Sequence, residues 1–161
     1  MKLLFVKMFV KIVSTFAAFI ALFFLICCSL LSTRVIATEI AIVVNPGNSI
    51  EALNQDDVRR IFLGKLRNFE SGKKLHVSNL PDDAPLREEF YQRLTGHSAK
   101  KAKSQWAAYA FSGLVEFPQE CANEEDLISW VNKNEEGIGY INAESVTDRV
   151  KVVYRLGTNN D

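Results

Sequence analysis

Ile40-Ala41-Ile42-Val43-Val44 is an unbroken apolar run that stops at Asn45-Pro46-Gly47-Asn48. A strand with one wet face alternates apolar and polar residues, whereas a strand covered on both faces is apolar throughout. The run therefore predicts a central strand that is buried on both faces, as in a parallel sheet. Because asparagine, proline and glycine favour turns, the next four residues mark the point at which the chain leaves the sheet.

Helix signals follow this strand. Four segments begin at residues that favour a helix start, namely Asn54, Pro85, Ser98 and Asn123. Gly64 is predicted to end the first helix in the left-handed conformation, and Gly96 to stop the second. Further apolar runs predict strands at residues 75–77, 137–141 and 150–156. The order predicts an α/β fold, with a mixed sheet that carries helices on its faces and has its first and last strands as neighbours.

Residues 1–37 have the pattern of a secretory signal peptide. Three lysines lie among the first eleven residues, and no further charge occurs before Arg34. Val35-Ile36-Ala37 resembles a signal peptidase site, which predicts Thr38 as the mature N-terminus. The apolar segment is also close to the length that spans a bilayer, so an uncleaved membrane anchor stays open as an alternative. The predicted organisation is a signal peptide at 1–37, one domain at 38–156 and a polar tail at 157–161.

The predicted mature chain is short and mildly acidic. Removing residues 1–37 takes away four of the 19 basic residues and none of the 19 acidic residues, which leaves a net charge of −4 over 124 residues. This charge argues against a nucleic-acid partner, because nucleic-acid binding normally requires a strongly basic surface. The length suits one domain with one core. Cys121 is the single cysteine of this mature sequence, so stability is predicted to come from packing without an intramolecular disulfide.

No sequence motif indicates catalysis or metal binding. The chain has no G-x-S-x-G, HExxH, P-loop or C-x-x-C pattern. Its two histidines, His76 and His97, lie far apart, and neither has a partner at metal-ligand spacing. We therefore expect a protein that is not an enzyme and that uses no metal and no cofactor.

Basic and aromatic residues on the predicted helices have simple structural explanations. The aromatic residues are predicted to pack in the core; they are Trp106, Tyr109 and Trp130. The basic residues could line a route for an anion or form an ordinary solvated face, and the solvated face is favoured; they are Arg59, Arg60, Lys100, Lys101 and Lys103.

Three segments together resemble the phosphate ABC transporter substrate-binding family. They are VRRIFLGK at residues 58–65, PLREEFY at residues 85–91 and GIGYI at residues 137–141. The resemblance runs over nearly the whole mature chain. Within the family, the sequence is most similar to short relatives that keep a single periplasmic-binding-protein-like lobe. It implies a type II lobe fold, a periplasmic location, an association with phosphate or anion uptake, and an envelope or transporter protein as partner.

The resemblance also implies where an anion would bind. Binding proteins of this family hold phosphate with an Arg, an Asp and a Ser-Gly-Thr run at a helix N-terminus. The matching positions here are Leu80, Asp82 and Ala84-Pro85-Leu86, so only the acid is kept. The candidate ligand-binding residues are Asn79, Asp82, Asp83, Ala84 and Arg87. Asp82 and Asp83 have an alternative explanation, since acids at a helix start are favourable without any ligand.

Two functional hypotheses follow from these positions. In the first, the chain is a single-lobe protein of the cell envelope that binds phosphate or another small anion weakly. A lone lobe leaves half of a ligand's hydrogen bonds to water, so a solitary site is expected to be weak or to need a partner, such as a second copy. In the second, the chain is a protein–protein interaction module that has lost solute binding.

Overall fold

The computed structural model describes residues 39–69 and 72–157. The strands are β1 (Ile40–Val44), β2 (His76–Asn79), β3 (Gln119–Glu120), β4 (Gly137–Asn142) and β5 (Lys151–Leu156). The helices are α1 (Gln55–Phe62), α2 (Pro85–Thr95), α3 (Ala99–Phe111) and α4 (Glu124–Lys133), with a 3₁₀ turn at Ala143–Ser145. The predicted signal peptide and its cleavage site lie outside the described residues. Within them, no helix is long and apolar enough to cross a membrane.

The five strands form one mixed sheet in the order β3-β2-β4-β1-β5. β2 runs parallel to β3 and β4, whereas β1 runs antiparallel to β4 and β5. The predicted pairing of the first and last strands is confirmed, and so is the complete burial of β1. The predicted parallel surroundings of β1 are wrong, because its apolar sequence reflects cover on both faces and not the direction of its neighbours.

Adjacent residues of β4 show which helices cover each face. Tyr140 points to one side, where its ring stacks on Phe90 of α2 at 3.9 Å and meets Phe62 of α1 edge-on at 5.7 Å. Gly139 faces the other side, where a Cβ atom would come within 2.6 Å of Leu127 of α4. The sheet therefore has α1 and α2 on one face and α4 on the other. Trp106 joins α3 to the first layer by donating from Nε1 to the Phe62 carbonyl oxygen at 2.8 Å.

The predicted helix starts are confirmed to within a residue, and so are the helix ends predicted at Gly64 and Gly96. Asn54, Ser98 and Asn123 each accept a hydrogen bond from a first-turn amide, at 2.9, 3.3 and 2.9 Å. Gly64 and Gly96 both have φ of 70°, as the left-handed helix ends require. β3 and the 3₁₀ turn were not predicted, because two or three residues carry no periodicity.

The aromatic residues of the predicted core differ in burial. Trp106 is buried, as expected. Tyr109 and Trp130 are only half-buried, because each lies at the border of its helix's packed face. The prediction that these two residues are buried in the core is therefore wrong in the extent of their burial.

Candidate functional site

The sequence-predicted site lies at one edge of the sheet. β2, β3 and β4 run in the same direction and all end at this edge. Beyond β2, residues 80–84 form a short loop that leads directly into α2. In open α/β sheets, ligands bind outside the carboxyl ends of the strands.

Arg87 is the most buried charged residue of this edge. Its residue surface is 5% exposed, and its Nη1 atom donates to the Leu80 carbonyl oxygen at 2.6 Å. The same nitrogen lies 2.9 Å from Oδ1 of Asp82 and 3.5 Å from Oε2 of Glu120. Its Nε atom is buried and has no hydrogen-bond partner among the described residues. Arg87 thus fixes the loop after β2 with one side of its guanidinium and keeps one donor unused.

Asp82 lies between two basic side chains. Its carboxylate forms ion pairs with Arg87 and with Lys103 of α3. The hydrogen bond from Lys103 is the main cause that lowers the pKa of Asp82 below its ordinary value of 3.8, and the charge of Arg87 acts in the same direction against desolvation. Asp82 is therefore ionised at neutral pH and can only accept hydrogen bonds.

The start of α2 is a poor anion-binding helix terminus. The Ala84 amide donates to the Pro81 carbonyl oxygen at 3.1 Å, and Pro85 at the first helical position has no amide hydrogen. Ala84 makes no side-chain cap. Two of the donors that normally hold an anion at a helix N-terminus are therefore absent or already engaged.

Asn79 ends β2 beside a small cavity. Its residue surface is 4% exposed, and its Oδ1 atom accepts a hydrogen bond from the Tyr91 hydroxyl at 3.0 Å. The cavity has a volume of about 50 Å³ and is bounded on its polar side by Asn79, Arg87, Lys103 and Glu120. This space suits one small ion or water molecule and excludes a larger ligand.

Asp83 lies in a different recess from Arg87. The recess has a volume of about 520 Å³, and its ionisable residues Asp83 and Glu124 are both acids. Glu124 is already engaged, since it accepts hydrogen bonds from the amide and side-chain nitrogens of Asn142, both at 2.7 Å. The fold therefore brings Asn79, Asp82 and Arg87 together and separates Asp83 from them.

The structure adds Lys103 and Glu120 to the site. Sequence reasoning favoured a solvated face for Lys103, and β3, which carries Glu120, was not predicted. Of the other basic residues considered, Arg59 and Arg60 pair with acids of their own helix. No sequence signal links Lys103 to Asp82, because their meeting depends on how α3 packs against α2.

Leu80 occupies the position at which the resembling family places its arginine. The residue is 3% exposed and packs in the core, so an arginine here would carry its charge into an apolar environment. No group of His, Cys, Asp and Glu side chains in the described ranges is arranged to hold a metal ion.

The fold defines the class of protein that this chain resembles. A mixed five-stranded sheet with helices on both faces, and a candidate site at the carboxyl ends of its parallel strands, is the architecture of one periplasmic-binding-protein-like lobe. No protein-family model matches the sequence, and the comparison with curated proteins finds no similar sequence.

Solved structures identify the particular relatives of the fold. An ABC-type phosphate transport receptor from Vibrio cholerae superimposes with a TM-score of 0.58 at 20% identity, over 72% of this chain and 46% of the other. A phosphate ABC transporter substrate-binding protein from Clostridium perfringens, solved with bound phosphate, gives 0.59 at 23% identity, over 72% and 45%. A possible phosphate-binding protein from Planctomyces limnophilus gives 0.54 at 13%, over 72% and 41%. The chain spans less than half the length of these proteins, and the likeness shows the shared fold.

Proposed function

We propose that this chain is a single-lobe, substrate-binding-like protein of the cell envelope that serves the uptake of phosphate or a related small anion. The proposal rests on the fold together with the position of one buried arginine. The chain has the fold of one lobe of phosphate-binding proteins, and buried Arg87 is held at the sheet edge where ligands of α/β sheets bind.

The unused donors define what the site binds. Arg87, whose buried Nε has no hydrogen-bond partner among the described residues, lines the same small cavity as Asn79 and Lys103. Charge-assisted hydrogen bonds from Arg and Lys are the strongest that a protein offers to an oxyanion. The ionised carboxylate of Asp82 favours hydrogen phosphate over sulfate, because it can accept a hydrogen bond from the P–O–H group but repels sulfate, which carries no proton at neutral pH.

The site is incomplete on its own. The cavity is small, and the start of α2 supplies fewer donors than a typical helix terminus. A second wall, from an envelope or transporter protein, completes the coordination in this proposal. Binding and delivery of the anion, and not catalysis, is the proposed activity, and the periplasm is the proposed location.

An NMR titration of the purified protein with sodium phosphate at constant ionic strength tests the proposal. We expect saturable changes at the Arg87 Nε–H and the Asn79 side-chain amide, with a Kd in the millimolar range. Sulfate at the same concentration should produce smaller changes at these two groups. Lys103→Gln should weaken phosphate binding several-fold, because it removes one charge from the cavity.

Lys101→Gln is the matched control, because Lys101 lies on the same helix and does not line the cavity. It should leave the titration unchanged. Absence of any saturable change at tens of millimolar phosphate, or equal loss in both lysine variants, would refute the proposed site.

A further inference from the structure

A larger cavity opens where β3 leaves the side of β2. The two strands pair only at Ser78 and Asn79, and the chain before β3 diverges from the earlier part of β2. The cavity between them has a volume of about 510 Å³, which is in the range of small-molecule sites. It is distinct from the proposed anion cavity, although the two share a wall made of Trp106, Phe117, Pro118 and Glu120.

Apolar side chains concentrate at this cavity. Its inner lining includes Leu75, Val77 and both tryptophans of the chain, Trp106 and Trp130. The large apolar side chains that are exposed among the described residues are Phe111, Leu114 and Phe117, at 96, 47 and 56%. Leu114 and Phe117 line the cavity mouth. Exposed apolar surface that gathers around one concave site marks a binding surface, whereas scattered exposed residues do not.

Both tryptophans are held in place from behind. Trp106 donates from Nε1 to the Phe62 carbonyl oxygen at 2.8 Å. The ring of Trp130 packs over Gly137 so closely that a Cβ atom there would lie 3.1 Å from Cζ3. The aromatic surfaces of the cavity are thus fixed before any ligand arrives, which reduces the entropy that binding must overcome.

The charged residues around the cavity leave Arg67 without a carboxylate partner among the described residues. The bases Arg67, Lys74 and His76 and the acids Glu116 and Glu120 line it. Lys74 and Glu116 neutralise each other at 2.6 Å across the mouth, and Glu120 lies 3.5 Å from Arg87. Arg67 has no carboxylate within 4 Å in the described part of the chain.

The backbone holds Arg67 at this place. Its carbonyl oxygen accepts a hydrogen bond from the Leu75 amide at 2.8 Å, and the next residue, Asn68, bridges to Lys74. The segment that carries the Arg67 guanidinium is therefore tied to the chain that leads into β2.

We propose that this cavity binds an amphipathic organic anion, with its apolar or aromatic body against the two tryptophans and its single acidic group at Arg67. The inference goes beyond the proposed anion uptake and does not depend on it, since Arg67 does not line the anion cavity and Arg87 and Lys103 do not line this one. A small molecule of this class is favoured by the volume, the fixed aromatic surfaces and a guanidinium with no carboxylate partner in the described part of the chain.

Fluorescence titration with 8-anilinonaphthalene-1-sulfonate tests the inference, because this probe has an aromatic body and one negative charge. We expect saturable quenching of the tryptophan emission with a stoichiometry of one, and competition by decanoate but not by acetate. Arg67→Gln should weaken probe binding about tenfold, since one charge-assisted hydrogen bond is lost. Phe117→Ser, at an exposed position that tolerates change, should weaken it as well.

Two matched controls separate this site from non-specific adsorption and from the phosphate site. Phe111→Ser removes an even more exposed ring that does not line the cavity, and it should leave probe binding unchanged. Lys103→Gln should also have no effect on the probe, and Arg67→Gln no effect on the phosphate titration. Equal weakening by Phe111→Ser and Phe117→Ser, several probes per chain, or a dimer in sedimentation that buries the patch and excludes the probe would overturn the inference.

Discussion

At the scale of single residues, Ala84 and Pro85 have the largest effect on the candidate site. They stand at the start of α2, where a side-chain cap and free amide donors would otherwise serve a ligand or the helix itself. Ala84 supplies no side-chain oxygen, although its φ of −69° and ψ of 122° are those of a capping residue. The helix therefore lacks a side-chain cap, although the backbone conformation at Ala84 is compatible with one.

Replacing Ala84 by Ser should stabilise the protein. The serine hydroxyl would accept a hydrogen bond from a first-turn amide, and such caps contribute about 1 kcal/mol to the free energy of unfolding. Urea unfolding measures the change. Asn54→Ala and Asn123→Ala, which remove existing caps, should lower the same quantity by about as much. A serine variant no more stable than the parent would show that the backbone at Ala84 does not act as a cap.

The pair of Asp82 and Lys103 predicts a pH dependence. The folded state lowers the pKa of Asp82, chiefly through the hydrogen bond from Lys103. A lowered carboxyl pKa stabilises the folded state fully above the unfolded value near 3.8, and this contribution disappears as the pH falls through the folded pKa.

A carboxyl-carbon NMR titration of Asp82 should give a folded pKa below 3.8. In the Lys103→Gln variant this pKa should rise towards its ordinary value, because the largest cause of the shift is gone. The Lys101→Gln variant should titrate like the parent. A pKa for Asp82 that is the same with and without Lys103 would contradict the observed ion pair.

Only part of the candidate site could be predicted from the sequence. Asn79, Asp82 and Arg87 lie within nine residues of sequence. Their closeness was predictable because Asn79 ends β2, Asp82 lies in the following loop and Arg87 is in the first turn of α2. Lys103 comes from the next helix and Glu120 from a two-residue strand, and neither contact has a local signal. Asp83 was expected beside Asp82 because the two are adjacent in sequence, but Asp82 pairs with Arg87 and Lys103, whereas Asp83 lines a separate recess.

At the scale of elements, the tight packing of β4 against α4 fixes the sheet that carries the site. Gly139 is adjacent to the Leu127 side chain and the Ser78 hydroxyl, and a Cβ atom would come within 2.6 Å of both. Real Cβ atoms do not approach this closely, so the strand and the helix would have to separate.

Gly139→Ala should therefore destabilise the fold by about 1 to 3 kcal/mol, the usual cost of overpacking a core. Gly157→Ala is the control, because a Cβ atom there meets nothing within 4 Å. Denaturant unfolding of both variants checks the prediction. Equal stability of the two variants would show that β4 and α4 are not packed as described.

The helices of the fold were predictable because caps and apolar spacing are local properties, as at Asn54 and Asn123. The direction of β1 was not, since burial on both faces produces the same apolar run in either direction. Its place beside β5 followed from chain order and the short connections that it allows.

At the scale of the whole molecule, we expect the described domain to be stabilised by packing, without a metal or a disulfide. Cys121 is buried, and burial is the main cause that raises its pKa to about 11, so its thiol is poorly reactive at neutral pH. Thermal melts of the purified protein should be cooperative and should coincide with and without chelator and reductant. A large decrease of the melting temperature with either additive would reveal a metal or a disulfide that stabilises the fold.

The central claim is that one lobe binds phosphate weakly at the carboxyl edge of its sheet. Each charge-assisted hydrogen bond contributes about 1.5 to 3 kcal/mol, so the absence of two such donors weakens binding about a hundredfold or more. Isothermal titration calorimetry with phosphate at low ionic strength measures the affinity directly. The predicted result is a Kd for phosphate of about 1 mM or weaker, with weaker binding of sulfate and a larger phosphate Kd in the Lys103→Gln variant. A micromolar Kd, or no phosphate binding at any concentration, would contradict the claim.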